Sequence, residues 1–243
     1  MFRRRKGEQP DEPQVDGVDA DDVEDGDEAA EPAGPVVDRS IGPWDDSEVP
    51  EDGLTRLDVG GLRIAGAEGM ELRLDVDEAS QTVQAVTAVI GDSALQMTVF
   101  AAPRTEGIWD DVRAEIRRSL AAQGTVNEVV TEFGHELHAT LPAQSPDGTQ
   151  VVQPVRFVGI DGPRWFLRGL FSGRAARERD AAAPLEAVLR ATVVVRGGDP
   201  MAPGDAIPLR VPTEVPQGMS RSDAPQVRDR RLRSCAAACR SSS

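Results

Sequence analysis

Apolar and polar residues alternate along several stretches of this chain, which is the pattern of a β-strand with one buried face. In residues 70–76 apolar side chains occupy one face and charged side chains the other, whereas residues 82–90 are apolar on both faces, as in a central strand. Further strands are predicted at 94–101, 126–132, 135–141, 150–160 and 164–171. Gly and Asp-Gly turn signals separate these segments, so we predict a mainly antiparallel sheet of about seven strands.

Two segments have helical periodicity instead. In residues 106–122 apolar side chains recur every three or four positions, and Thr105 precedes them as a candidate N-cap. The second helix is predicted over 182–195, with Pro184 near its start, although the β-branched residues 193–195 also suit an extended conformation. Each helix has a single apolar stripe, which suits packing on a face of the sheet. The predicted fold class is therefore α+β, with two helices packed on the sheet.

Acidic residues are concentrated before this domain. Residues 8–52 hold 18 Asp and Glu against one Arg, and residues 7–38 contain no basic and no aromatic residue. Such a segment cannot bury enough apolar area to offset roughly 1–2 kcal/mol of backbone entropy per residue. We predict a disordered acidic arm over 1–40 and a single α+β domain over 41–217. After it the composition changes to Ser, Arg and Ala, which predicts a disordered basic tail over 218–243 whose native origin is open.

The composition also limits the chemistry of the domain. Its only lysine is Lys6, in the arm, so the domain has none for a Schiff base or a phosphate loop. Both cysteines, Cys235 and Cys239, lie in the tail, which fits a reducing cytoplasm. No segment approaches the ~20 apolar residues of a membrane helix. We expect a cytoplasmic protein that does not cross a membrane.

The sequence offers no convincing metal site, cofactor motif or catalytic residue. His135 and His138 are three positions apart on a predicted strand, so they point to opposite faces and cannot share a metal ion. Ser172 lies one place away from the serine position of a Gly-x-Ser-x-Gly elbow, and both histidines lie on another strand. Enzymatic activity is therefore not predicted, and no cofactor is expected.

An arginine cluster gives the best candidate binding site. Five arginines fall within residues 164–179, opposed locally only by Glu178 and Asp180. If Ser172-Gly173 opens a helix, its free N–H groups and the nearby guanidinium groups suit an anion. The candidate anion-binding residues are Arg164, Arg168, Ser172, Arg174 and Arg177. The alternatives are a solvated surface turn and a docking place for the acidic arm.

The aromatic stretch 165–171 leaves one question open. Alternation puts Trp165, Leu167 and Phe171 on one face, where core packing explains them. Phe166 and Leu170 fall on the other face. They form either an exposed surface for a partner or a patch buried under a helix.

Four short segments resemble an uncharacterised family of actinobacterial proteins that is classed as a domain of unknown function. They are Gly42–Asp45, Arg164–Gly169, Val193–Gly197 and Asp205–Arg210. The resemblance covers about 41–216 and implies no established activity or catalytic residue. Some members of that family are encoded near a dUTPase, which hints at nucleotide metabolism. The order of elements also resembles the small α+β sheets of the Mog1/PsbP type, an analogy of fold alone.

Three functions follow in order of preference. The first is a non-enzymatic interaction or regulatory module, whose acidic arm is of a kind that engages a basic protein partner. The second is a small-anion or nucleotide-binding protein that uses the arginine cluster at 164–179. The third, nucleic-acid binding, is disfavoured because residues 53–217 hold 16 Arg against 22 Asp and Glu.

Overall fold

The computed structural model describes residues 39–77, 82–104, 107–144 and 147–212. The strands in chain order are β1 Trp44–Asp45, β2 Arg56–Asp58, β3 Leu62–Ala65, β4 Met70–Val76, β5 Val83–Ile90, β6 Ser93–Ala101, β7 Thr125–Thr131, β8 Gly134–Gln144, β9 Gln150–Gly162, β10 Trp165–Gly173 and β11 Val193–Val194. The helices are α1 Trp109–Ala121 and α2 Arg179–Ala191.

The larger sheet has seven strands in the order β4-β5-β6-β10-β9-β8-β7, and each pairing in it is antiparallel. This confirms the α+β class and the seven-stranded sheet with two helices. The smaller sheet has the order β1-β11-β3-β2. In it Val193 and Val194 pair parallel to β1, so the β-branched end of the second predicted helix is extended.

The two helices cover opposite faces of the larger sheet, as the alternation along β10 makes plain. Trp165 and Leu167 pack in the core that contains the apolar stripe of α2, together with the smaller sheet. Phe166 and Leu170 pack in a second core that contains the apolar stripe of α1. The open question about these two residues is thereby settled, because both are buried under α1.

Helix α1 begins later than predicted and is capped from a distant strand. Its N-cap residue is Ile108, whose own side chain makes no capping hydrogen bond, and the predicted N-cap Thr105 lies outside the described residues. Instead the carboxylate of Asp161, at the end of β9, accepts hydrogen bonds from the N–H groups of Ile108 and Trp109 at 2.9 and 3.3 Å. Two of the four unpaired N–H groups at the helix start are satisfied in this way.

The described part of the chain begins at Arg39 and so includes the last two residues of the predicted arm. Residues 39–41 form a short 3-10 helix, and the Arg39 guanidinium lies 5.6 Å from the centre of the Trp165 ring. The rest of the predicted arm, residues 1–38, lies outside the described residues. So does the tail predicted over 218–243.

Candidate functional site

A cavity of about 450 Å³ lies on the α2 side of the larger sheet, where α2 begins. Strands β7, β8 and β9 provide one part of its wall, and the segment that links β10 to α2 provides the other. It is lined by Val130, Thr131, Glu132, His138, Arg156, Ala175, Ala176, Arg177, Glu178, Arg179 and Glu186. Its volume falls in the range of small-molecule sites in proteins.

A chain of ionic hydrogen bonds lies behind the cavity. Glu136 of β8 has no exposed surface, and both its oxygens are occupied. Arg156 donates to them through Nε and Nη2 at 2.6 and 3.0 Å, and the Thr131 hydroxyl also donates. His138 Nε2 lies 2.9 Å from the same carboxylate. Buried charges persist where partners satisfy them in this way.

Arg156 connects this network of hydrogen bonds to α2. Its Nη1 lies 2.6 Å from a carboxylate oxygen of Glu186, and its guanidinium carbon lies 4.6 Å from the centre of the Phe171 ring. The arginine therefore bridges one acid on the sheet and one on the helix while it stacks on an aromatic ring. The bridge fixes the wall of the cavity.

The pKa shifts in this network are those of a structural ion pair. Burial raises the pKa of Glu136, but the hydrogen bonds from His138 and Arg156 outweigh it, so the pKa lies below its ordinary value. For Arg156 burial lowers the pKa, and the contacts with Glu136 and Glu186 raise it above its ordinary value. Glu136 is therefore ionised at neutral pH and holds no proton to give to a substrate.

The remaining carboxylates around the cavity are paired as well. Glu132 lies 2.8 Å from Arg190, and Glu178 lies 2.6 Å from Arg174. By contrast, within the described ranges the guanidinium groups of Arg177 and Arg179 have no carboxylate within 4.0 Å and no hydrogen-bond acceptor. Both side chains are exposed. The rim thus carries two exposed cations that form no salt bridge with a described acid, although the charge of Arg177 does act on the nearby Glu178.

The five residues that the sequence proposed as an anion site do not meet in one place. Arg164 precedes the first residue of β10 and Arg174 follows its last, and a nine-residue strand is about 27 Å long. Arg168 is buried on the α1 side, with its guanidinium 5.5 Å from the centre of the Phe100 ring. Only Arg177 lines the cavity, with Arg174 beside it through Glu178.

A helix that opens at Ser172-Gly173, the condition for the proposed anion site, is present only as one short 3-10 turn. Ser172 belongs to β10 and pairs with Ala94 and Val155. Gly173 has a φ of +70°, which turns the chain into a short 3-10 helix over Arg174–Ala176, and α2 begins at Arg179. A positive φ is most accessible to glycine. Ser172 therefore does not lie at the N-terminus of α2.

Sequence reasoning missed three residues of the site. Glu136, Arg156 and Glu186 come from two strands and a helix, and each one alone looks like an ordinary surface charge. A faint signal exists, because the alternation along 135–141 places Glu136 opposite Leu137 in a strand that the turn signals put inside the sheet. Its partner could not be read from sequence, since 20 residues separate Glu136 from Arg156.

The two histidines lie on opposite faces of the sheet and contact different carboxylates. His135 lies on the α1 side, where its Nδ1 is 3.0 Å from Glu128, and His138 lies on the other side beside Glu136. In the described part of the chain no group of three or more His, Cys, Asp or Glu could hold a metal ion. None of the helices in that part is long and apolar enough to cross a membrane.

The described domain matches a family that has been defined by sequence. A family model described as "Protein of unknown function (DUF3710)" matches residues 42–218, and this chain belongs to that family. The match confirms the predicted domain of unknown function. The actinobacterial origin and the link to a dUTPase stay predictions. A search of the curated proteins finds no match.

Two solved structures are similar at low identity. A protein of Bacteroides thetaiotaomicron has a TM-score of 0.35 and 11% identity; the match covers 57% of this chain and 47% of that one, so this chain spans about half its length. The PsbP protein of Synechocystis sp. PCC 6803 has a TM-score of 0.31 and 11% identity, with 60% and 97% covered. The second is a PsbP protein by its name.

Proposed function

We propose that this domain is a non-enzymatic binding module of the cytoplasm, and that its ligand carries a small anionic group of the phosphate type. The observation that carries the proposal is the pair of exposed arginines, Arg177 and Arg179, at the rim of a cavity whose described acids are all paired. Of the three functions considered from the sequence, the first supplies the class of protein, and the second supplies the kind of ligand. The cytoplasmic location rests on the cysteine-free sequence of residues 1–234.

The chemistry of the rim favours an oxyanion. Guanidinium groups match the geometry of phosphate oxygens and donate charge-assisted hydrogen bonds of about 1.5–3 kcal/mol each. Arg174 and Arg190 strengthen this preference indirectly, because they neutralise Glu178 and Glu132, which would otherwise repel the ligand. The cavity gives room for a group of a few atoms attached to the anion.

A binding role fits this site better than a catalytic one. A general base needs a lone pair that can reach the substrate, and the oxygens of Glu136 are committed to Arg156, Thr131 and His138. His138 itself is held by that carboxylate. The polar groups behind the cavity thus form a rigid wall, and the exposed groups at its rim suit recognition.

Titration calorimetry of the full chain with pyrophosphate at low ionic strength tests the proposal. The variant Arg177→Gln/Arg179→Gln should bind at least about tenfold more weakly, because two charge-assisted contacts are lost. The matched control is Arg117→Gln/Arg118→Gln, which removes the same charge from exposed positions of α1 on the opposite face of the sheet. The proposal fails if the unaltered chain does not bind pyrophosphate, or if both variants lose affinity equally.

A further inference from the structure

One ring nitrogen of His138 is left free by the residues that the structure describes. Nε2 lies 2.9 Å from a carboxylate oxygen of Glu136, whereas Nδ1 makes no hydrogen bond to a described residue and is not buried. The ring lines the cavity. We infer that His138 is a specificity-determining residue whose Nδ1 accepts a hydrogen bond from the ligand, which is a phosphate ester with a hydroxyl group close to its phosphate. The inference rests on the proposed function, because it adds the uncharged part of the ligand to the anion.

The partner of Nε2 determines where the ring of His138 carries its proton. Glu136 is ionised, because its pKa lies below the ordinary value, and an ionised carboxylate only accepts hydrogen bonds. A contact of 2.9 Å between two acceptors would be repulsive, so the single N–H of the neutral ring lies on Nε2. The other nitrogen, Nδ1, then holds a lone pair and can only accept a hydrogen bond.

Strand β8 places this ring on the side of the sheet where the cavity lies. Glu136 and His138 are two positions apart on the strand, so their side chains share the face on which α2 packs. His138 pairs in the sheet with Asn127 of β7 and with Arg156 of β9. Its side chain keeps 35% of its surface exposed, while Glu136 holds the ring at Nε2. The imidazole is thus fixed at one edge and accessible at the other.

The other side-chain acceptors among the residues that line the cavity are less suited to a ligand with a negative charge. Three of them are carboxylates that contact arginines, namely Glu132, Glu178 and Glu186. The hydroxyl of Thr131 already donates one hydrogen bond and accepts another within the fold. The Nδ1 of His138 is an uncharged acceptor, so it can bind a hydroxyl group without repelling the phosphate.

The class of ligand follows from the two contacts together. Arg177 and His138 line the same cavity, so a phosphate bound at the rim can bring a hydroxyl group to Nδ1 on a short carbon skeleton. The cavity volume of about 450 Å³ leaves room for such a skeleton. A phosphate ester without a hydroxyl group should bind less tightly, because the lone pair of Nδ1 then loses its water partner and gains no other.

Titration calorimetry of the full chain with glycerol 3-phosphate and with propyl phosphate tests the inference. The two probes share a carbon skeleton, but only the first has hydroxyl groups, and we expect it to bind about fivefold more tightly. His138→Gln should abolish this preference and leave the affinity for propyl phosphate unchanged. Its amide N–H can still donate to Glu136, but it offers no acceptor at the position of Nδ1. The control is His135→Gln, on the opposite face of the same strand, which should keep the preference.

The nitrogen NMR signals of the His138 ring report on the same contact directly. In mildly alkaline buffer we expect the ligand-free chain to carry the proton on Nε2 alone. Glycerol 3-phosphate, but not propyl phosphate, should then shift the Nδ1 signal. A proton on Nδ1, equal affinities of the unaltered chain for the two probes, or a preference that survives His138→Gln would overturn the inference and leave the proposed function intact. If neither probe binds, the proposed function and the inferred class of ligand both fail.

Discussion

The Nε of Arg156 donates a hydrogen bond of 2.6 Å to Glu136, a residue without any exposed surface. Because both charges are removed from water, neither is tolerated without the other. Breaking a buried pair by removing one partner costs about 3–5 kcal/mol, whereas replacing both partners by apolar residues of similar volume is often neutral. The pair is therefore a fixed part of the wall beside the proposed binding site.

Removing one side of this pair should destabilise the domain strongly. We expect Glu136→Ala to lower the free energy of unfolding by about 3 kcal/mol or more, and Glu136→Leu/Arg156→Met to lower it by less. Denaturant unfolding measures both. The control is Glu71→Ala, at the exposed pair with Arg73, which should change stability by at most about 1 kcal/mol. If the double variant were the less stable of the two, the coupling between Glu136 and Arg156 would be disproved.

The contributions of Glu136 and Asp161 to the free energy of unfolding should change with pH in opposite directions. The folded-state pKa of Glu136 lies below its ordinary value of 4.5, so its contribution is present above that pH and is lost as the pH falls through the lowered value. Burial raises the pKa of Asp161 above its ordinary value of 3.8, and the hydrogen bonds from Ile108 and Trp109 offset this only in part. Its contribution should therefore decline as the pH rises from about 3.8 and level off above the raised value.

The Asp161→Asn variant isolates that second dependence. We expect the stability of the unaltered chain relative to this variant to decrease as the pH rises from 3.8, because only the carboxyl form loses its proton. Denaturant unfolding across pH 3.5–7 measures the difference. A difference that is constant or increases with pH would show that the Asp161 carboxyl is not held in its protonated form by the fold.

Gly159 should tolerate no side chain, because it lies directly beneath Trp109 of α1. A Cβ at this position would overlap the indole ring. We expect Gly159→Ala to destabilise the domain by about 1–3 kcal/mol through overpacking and to change the tryptophan fluorescence. Gly198→Ala is the control, since no atom lies within 4 Å of its Cβ position and its φ is not in the left-handed region. Equal melting temperatures of the two variants would contradict the close packing of α1 on β9.

Removal of the arm should leave the domain folded if the cut is placed before Arg39. The sequence of residues 1–38 offers no periodic apolar residues that could join a core, so we expect its deletion to change the melting temperature by no more than a few degrees. Deletion of residues 1–40 should cost up to about 1 kcal/mol more, because Arg39 then no longer contacts Trp165 and Glu48. Differential scanning calorimetry of both variants tests this. A much lower melting temperature after the shorter deletion would show that the arm packs in the core.

The sequence by itself determined the seven strands of the larger sheet and the two helices, but it did not predict the smaller sheet. Alternation predicts the strands because successive side chains of a strand point to opposite faces, and this holds for residues 70–76, which form β4 as predicted. The tight turns between neighbouring strands make their pairing antiparallel. The apolar stripes of α1 and α2 likewise follow from the helical repeat. All of these patterns involve residues that are close in sequence, so they can be recognised without knowledge of the tertiary contacts.

The tertiary structure alone decided what lies together. It placed α1 and α2 on opposite faces, which buried Phe166 and Leu170, and it brought Asp161 of a distant strand to the N-terminus of α1. It also separated Arg164 and Arg168 from Arg177, although all three are close in sequence. The reason is that a strand carries neighbouring residues about 3.3 Å apart and to alternate faces, so a cluster along the sequence is dispersed in space. A site such as Glu136–Arg156–Glu186 arises in the opposite way, from residues that only the packing of sheet and helix brings within hydrogen-bond distance.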